Sequence, residues 1–290
     1  MSVLQLIVNG VALGAAYALV ALGFVLILNA TGAVNFAQGD LVMCGGFLAV
    51  ALAAVLPVPG IVLLPLLLLM MAGFGLIFSL LAYFPLQKKP PVSVFISTIA
   101  LGIVLQNAAN AGFGGEPRVG PPLLGSGHFE IAGLIIGRQS LAIIVVAAVL
   151  ILGQHLLFAR AQFGRRLRAT AQDREMAQAV GIPVNRMIAI TFGLATALAG
   201  TAGLLLANQF FVTPEEGTPL IINAYIAVVI GGWGSIGGAV LGAMLIAVFE
   251  VVVSAYFSYP VASAGLYIAL LAILFFRPQG LFGEVVQRRV

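Results

Sequence analysis

Charge is scarce in this chain. Only 8% of its 290 residues are Asp, Glu, Lys or Arg, while 62% are hydrophobic; a soluble domain carries about 25% charged residues. Mean hydropathy is +1.16. Together these values exclude a water-soluble globule, and equally a disordered chain, which needs low hydrophobicity and many charges. Cysteine is nearly missing: Cys44 stands alone. That excludes an internal disulfide and a cysteine-based zinc or iron–sulfur site. His128 and His155 are too few for a histidine metal cluster. Lys88 and Lys89 are the only lysines, and prolines follow them. No G-x-x-x-x-G-K-[ST] phosphate loop is present, so the chain is not itself a P-loop ATPase. Ser235 lies in Gly-Ser-Ile-Gly rather than in a nucleophile elbow, and no nucleophile–base pair points to an enzyme. No cofactor is expected in this chain.

What is present reads as an all-α, polytopic transmembrane bundle. Glycine, at 35 residues, sits inside apolar runs, where it allows close backbone approach between helices. The net charge of +4 reads as basic cytoplasmic loops rather than a nucleic-acid surface. No basic region precedes the first apolar stretch, so it is expected to stay as a span rather than be cleaved.

A spanning helix needs about 20 apolar residues. Spans are placed near Leu4–Leu28, Gly39–Leu56, Ile61–Phe84, Val92–Gly112, Ser140–Phe158, Met187–Ala207, Ala239–Tyr256 and Val261–Phe276. Leu220–Gly232 is apolar but short. Eight or nine membrane segments are expected, some discontinuous, in one domain over residues 1–290. Residues 113–139 form a long glycine- and proline-containing loop, with a candidate hairpin at Phe129–Ile136. Residues 160–186 hold six of the 13 basic residues. Lys88–Lys89, this segment and the tail with Arg277, Arg288 and Arg289 are expected to be cytoplasmic, which leaves 113–139 outside. Parity between Arg186 and Arg277 then requires Leu220–Gly232 to cross together with its glycine break.

Thr170-Ala171-Gln172-Asp173 fits a helix start, and Gly181 with Pro183 fits its end. The expected helix, Ala171–Val180, places Met176, Ala179 and Val180 on one face, with Ala169 close by, and Arg174, Glu175 and Gln178 on the other. It either lies on its own bundle or docks a cytoplasmic partner. Asn35-Phe36-Ala37-Gln38-Gly39-Asp40 brings hydrogen-bonding side chains to a helix break. It is either a broken helix beside a translocation path or an interfacial turn with Asp40 near a helix N-terminus. Glu250 falls inside an apolar span; it is a proton-coupling carboxylate or, favoured for want of a basic partner, an inter-helix hydrogen bond. Gln106 and Asn107, with Asn110, mark a pore mouth or the interface. Gly10-x-x-x-Gly14, Gly200-x-x-Gly203 and Gly238-x-x-x-Gly242 read as packing motifs. Gly231, Gly232, Gly234, Gly237 and Gly238 form either packing contacts or a discontinuous hinge.

In order and spacing these motifs resemble the permease subunits of branched-chain amino-acid ABC transporters, of LivH type. The likeness runs through Asn9–Leu19, Asn35–Asp40, Gly164–Ala169 with Ala177 and Gly181–Ile182, Gly231–Gly238 and Arg277–Leu281. The resemblance implies a multi-pass permease of the bacterial inner membrane. It pairs with a second related permease, two cytoplasmic ATPase subunits that bind the ATP, and an extracytoplasmic solute-binding protein. It also implies that Arg165, Arg166, Arg168, Ala169, Thr170, Asp173, Met176, Ala177, Val180, Gly181 and Ile182 fall in the ATPase-coupling region. Gln38 and Asp40 stand where the family often has His and Glu, and Trp233 is bulky in a glycine-rich stretch. Relatives that carry urea, short amides or other amino acids leave the substrate open, and an ion-coupled transporter or channel remains the alternative.

Overall fold

The structure, a computed structural model, describes residues 3–125, 127–131 and 134–282. Arg288 and Arg289 of the expected tail, and the Ala132-Gly133 turn of the hairpin, lie outside the described residues.

Among the described residues nine helices form the bundle: α1 Val3–Thr31, α2 Gln38–Val55, α3 Gly60–Ala82, α4 Pro91–Phe113, α5 Arg138–Arg160, α8 Val184–Phe210, α9 Gly217–Gly231, α10 Ile236–Tyr256 and α11 Tyr259–Phe276. All but α9 are long and apolar enough to cross a membrane. Two short helices, α6 Gln162–Gln172 and α7 Arg174–Ala179, join α5 to α8. A hairpin of β1 His128–Ile131 and β2 Leu134–Gly137, with His128 opposite Gly137, joins α4 to α5. The expected hairpin is therefore present one residue wider at each end.

The helices sort by burial. Of their most apolar windows, 94% is buried in α1 and 83% in α8, against 17% in α4 and 11% in α11. Glycines bring the inner helices close to their neighbours. A Cβ on Gly10 would meet the Val248 backbone of α10, and one on Gly45 of α2 would collide with the Gly200 backbone of α8. Lipid tails provide no hydrophobic drive between helices, so close packing of this kind holds them together.

Two triads repeat one plan. In α1–α2–α3 and in α8–α9–α10, a long helix is followed by a break, a short helix and another long helix. α1 packs along α10, and α8 packs along α3. The two triads start from opposite ends of the bundle. The N-termini of the short helices meet: a Cβ on Gly39 would strike the Gly217 carbonyl, and one on Gly217 would strike Asp40. This is the arrangement of inverted repeats with discontinuous helices.

The ends of the bundle are told apart by contacts. Arg174, Tyr83, Ala30, Asn29 and Gly234 gather at one end through hydrogen bonds. Lys88, Lys89 and Arg160 stand at the helix termini of that end, called the basic end below. Arg118 pairs with Val212 in a two-way backbone bridge at the other end. α9 is 15 residues long, about 22 Å at 1.5 Å per residue. It starts inside the bundle, follows the Phe211–Glu216 break and finishes at the basic end. The parity that the basic segments require is thus met.

The packing of α2 on α8 gives a direct test. Gly45→Leu is expected to lower thermal stability in detergent by about 1–3 kcal/mol or more, as for overpacked cores. Gly73→Leu on α3, where a Cβ meets nothing within 4 Å, is expected to leave it unchanged or raise it.

Candidate functional site

Side chains satisfy several backbone groups of the first break, as a chain in hydrocarbon requires. Thr31 Oγ1 donates to Ile27 O at 2.7 Å and accepts from Ala33 N at 3.1 Å. Asn35 Oδ1 accepts from Ala37 N at 3.1 Å, and Phe36 N donates to Thr98 Oγ1 of α4 at 3.1 Å. Asn35 Nδ2 reaches Gln38 Oε1 at 3.4 Å, and Gln38 Nε2 reaches Ala195 O of α8 at 3.3 Å. Asp40 is buried in the first turn of α2. Gln106 Nε2 donates to its Oδ1 at 2.8 Å, and the start of α9 lies against it. Two helix N-termini thus face one carboxylate, which both favour.

Asn35, Gln38, Asp40 and Gln106 are therefore brought together. Asn107 is not: it points away and donates to Ile103 O of its own helix at 2.8 Å. It borders a recess of about 340 Å³ with Gln106, Asn110, Thr213, Pro214 and Glu215. Phe36 turns toward the basic end. Its ring meets Phe95 edge-on at 4.8 Å and Tyr225 at 6.4 Å, and Tyr225 continues to Trp233 and Phe24. The bulk of Trp233 thus has partners in an aromatic cluster below the break.

Glu250 stands apart from the Asp40 cluster. Tyr17 Oη donates to its carboxylate at 3.3–3.4 Å, and Asn223 Nδ2 donates to Tyr17 Oη at 3.1 Å. Of the two readings of Glu250, the inter-helix hydrogen bond is present, tying α10 to α1 and α9. These residues adjoin a cavity of about 540 Å³, bordered also by Phe211, Glu216, Ser254 and Tyr259. Phe211–Glu216 is a partition: Thr213–Glu215 border the recess on one side, and Phe211 and Glu216 border this cavity on the other. Phe211 has φ 64° and ψ 174°, a region that is nearly glycine-only and costs about 1–3 kcal/mol. Tyr17, Asn223, Thr98 and Phe211 carry no signal in the linear sequence beyond Tyr17 lying in the Asn9–Leu19 run.

The segment at the basic end departs from expectation. No single helix runs over Ala171–Val180. Gln162–Gln172 is helical already, with Gly164, Leu167 and Thr170 buried on one side and Arg165, Arg166 and Arg168 exposed. Ala169 is half-buried. Thr170 is an interior residue whose Oγ1 donates to Arg166 O at 3.0 Å. Asp173 is the cap instead, accepting from Met176 N at 3.0 Å, since Asp is the better N-cap of the two. The facing is also reversed. Ala177 is buried and Ile182 half-buried, while Met176 and Val180 are 66% and 74% exposed. Arg174 turns inward, donating to Tyr83 Oη at 2.8 Å and to Ala30 O at 3.1 Å. A six-residue helix is set by its cap and anchor rather than by its apolar stripe. Gly181, at φ +81°, closes it as foreseen, with Ile182 N on Ala177 O at 2.9 Å.

Gly231–Gly238 is the turn between α9 and α10, not a break within a span. Gly231 lies against Gly238, Asn29 Nδ2 donates to Gly234 O at 2.9 Å, and Leu281 N and Phe282 N donate to Ile230 O and Gly231 O. Gly232 and Gly234 adopt positive φ, and Gly237 faces open space.

Residues 6–276 match the family described as branched-chain amino acid transport system / permease component. The high-affinity branched-chain amino acid transport system permease protein BraD of Pseudomonas aeruginosa is 33% identical over 97% of this chain and 96% of its own length. LivH of Escherichia coli K12 is 31% identical over the same shares. A probable LivH of Methanocaldococcus jannaschii is 30% identical over 91% of this chain and 88% of its own. The chain belongs to the branched-chain amino-acid transport permease family. No solved structure matches it. Family membership and the eight long apolar helices make it a multi-pass membrane permease, not an enzyme.

Proposed function

We propose that this permease imports branched-chain or related small amino acids, driven by ATP hydrolysed on two separate cytoplasmic subunits. A second related permease completes the membrane part, and an extracytoplasmic binding protein delivers the substrate. The basic end faces the cytoplasm, and residues 113–139 face outward. The substrate class is that of the relatives BraD and LivH, branched-chain amino acids.

One observation carries the mechanism. Arg174 of α7 holds Ala30 O, one residue before Thr31 and the first break. α7 shows Met176 and Val180 outward, an apolar surface for a partner at the basic end, with Arg165, Arg166 and Arg168 of α6 beside it. When the ATPase subunits close, they displace α7. The guanidinium passes that displacement to the end of α1, and the Gly32–Ala37 segment shifts against α9. The Asn35–Gln38–Asp40–Gln106 cluster and the Phe36 aromatic cluster beneath it then open toward one face in turn. Gly231–Gly238 keeps α9 and α10 moving together, and Tyr17–Glu250 holds α10 on α1.

ATP-driven uptake in proteoliposomes separates docking from transmission. Met176→Asp with Val180→Asp is expected to release the ATPase subunits in co-purification and cut uptake at least tenfold. Arg174→Ala is expected to retain them and still cut uptake at least tenfold. Full uptake by both variants contradicts the reading, and substrate uptake by the permease without ATPase subunits supports an ion-coupled transporter instead.

A further inference from the structure

An open groove of about 750 Å³ runs between α5 and α10, with Ala15 of α1 at its floor. Its walls are apolar, among them Ile151, Leu152, Val240 and Met244, and no acidic side chain lines it. Both helices are outer ones, only 33% and 39% buried along their apolar windows, so the groove faces lipid. On α5 it extends from Ile144 to Ala159, about 22 Å at 1.5 Å per residue. That exceeds half of a hydrocarbon core about 30 Å thick, so the groove reaches from mid-membrane to the headgroups of one leaflet.

Three polar side chains, Gln154, His155 and Arg168, line it toward its basic end. Gln154 lines the groove with 8% exposure, and among the described residues neither its amide nitrogen nor its amide oxygen, both shielded in this rotamer, has a hydrogen-bond partner. A buried primary amide left unmatched in hydrocarbon is costly. It stands six residues before Arg160, the end of α5, about 9 Å along the helix, near the ester level of a bilayer. Arg168 of α6 borders the same end and donates to Phe158 O, which engages one of its five N–H donors.

We propose that this groove binds one membrane phospholipid with an anionic headgroup. One acyl chain lies between α5 and α10. The phosphate meets Arg168, and the Gln154 amide pairs with the glycerol-ester region, which supplies its missing partner. Basic pockets between membrane helices suit such headgroups. The lipid fills the gap between α5, which leads into α6 and α7, and α10. The site shares Arg168 with the coupling segment, so lipid retention is read on the permease without ATPase subunits, where it stands or falls apart from the coupling reading.

Native mass spectrometry of the full-length permease in mild detergent, with phosphatidylglycerol or phosphatidylcholine added, tests it. The wild type is expected to keep one phosphatidylglycerol under collision energies that strip phosphatidylcholine, and millimolar inorganic phosphate is expected not to displace it. Arg168→Gln is expected to abolish the headgroup preference, and Gln154→Leu to cut retention at least threefold. Val240→Trp, which fills the groove, is expected to remove it, with thermal unfolding showing each variant folded. Equal retention of the two lipids by the wild type overturns the proposal. So does unchanged retention in Val240→Trp, or displacement by phosphate. Cross-linking of Leu152→Cys to a second permease subunit in the assembled transporter also overturns it, because the groove is then a protein interface.

Discussion

Backbone polar groups in hydrocarbon must find partners within the protein, and this permease interrupts two helices inside the bundle. The rest of the structure depends on how those interruptions are closed. At Gly32–Ala37, Thr31, Asn35 and Thr98 supply the bonds that a helix would have supplied. At Phe211–Glu216 the bridge to Arg118 does so. The helices that restart, α2 and α9, meet head to head, and only the absence of side chains at Gly39 and Gly217 allows it. Asp40 is held by that meeting, with Gln106 as its donor. The inner pair α1 and α8 leads into both breaks, so these helices connect the ends of the bundle with its centre.

Arg174 is the nearest such connection to the outside. It reaches the α1 terminus and the end of α3 together, while the helix that bears it has little stability of its own. A short helix held by one cap and one anchor moves as a unit with whatever grips its outer face. The outer face, Met176 and Val180, is apolar and exposed at an end otherwise dressed with arginines. Anchor and exposed apolar face thus lie on opposite sides of one turn and a half of helix.

Much of the bundle was legible in the sequence because hydropathy over 20 residues is a strong signal; all eight long spans lie within three residues of their expected ends. The short α9 was legible as an apolar segment, and its crossing only through the parity of the basic segments. Asn35, Gln38, Asp40 and Gln106 stood out because polar side chains are rare in such runs. Their pairing was not visible, since Gln106 and Asp40 are 66 positions apart. Tyr17 with Glu250, separated by 233 positions, was out of reach for the same reason. The α7 face was misread because an i, i+3, i+4 stripe assumes that apolar residues turn inward. At the membrane end an arginine with two fixed acceptors takes the inward position, and the apolar residues are left outside. Thr170 was misread as a cap because the α6 helix preceding it leaves no break there.

The most direct measurement is side-specific thiol labelling of Phe36→Cys in a Cys44→Ser background, with the permease pair and ATPase subunits in proteoliposomes. Phe36 sits at the first break, between Thr98 and the aromatic cluster. A membrane-impermeant reagent is predicted to reach it from one side without nucleotide and from the other with ATP bound, its rate on each side changing at least tenfold. Labelling from the same side at the same rate in both states would contradict a moving barrier at Gly32–Ala37.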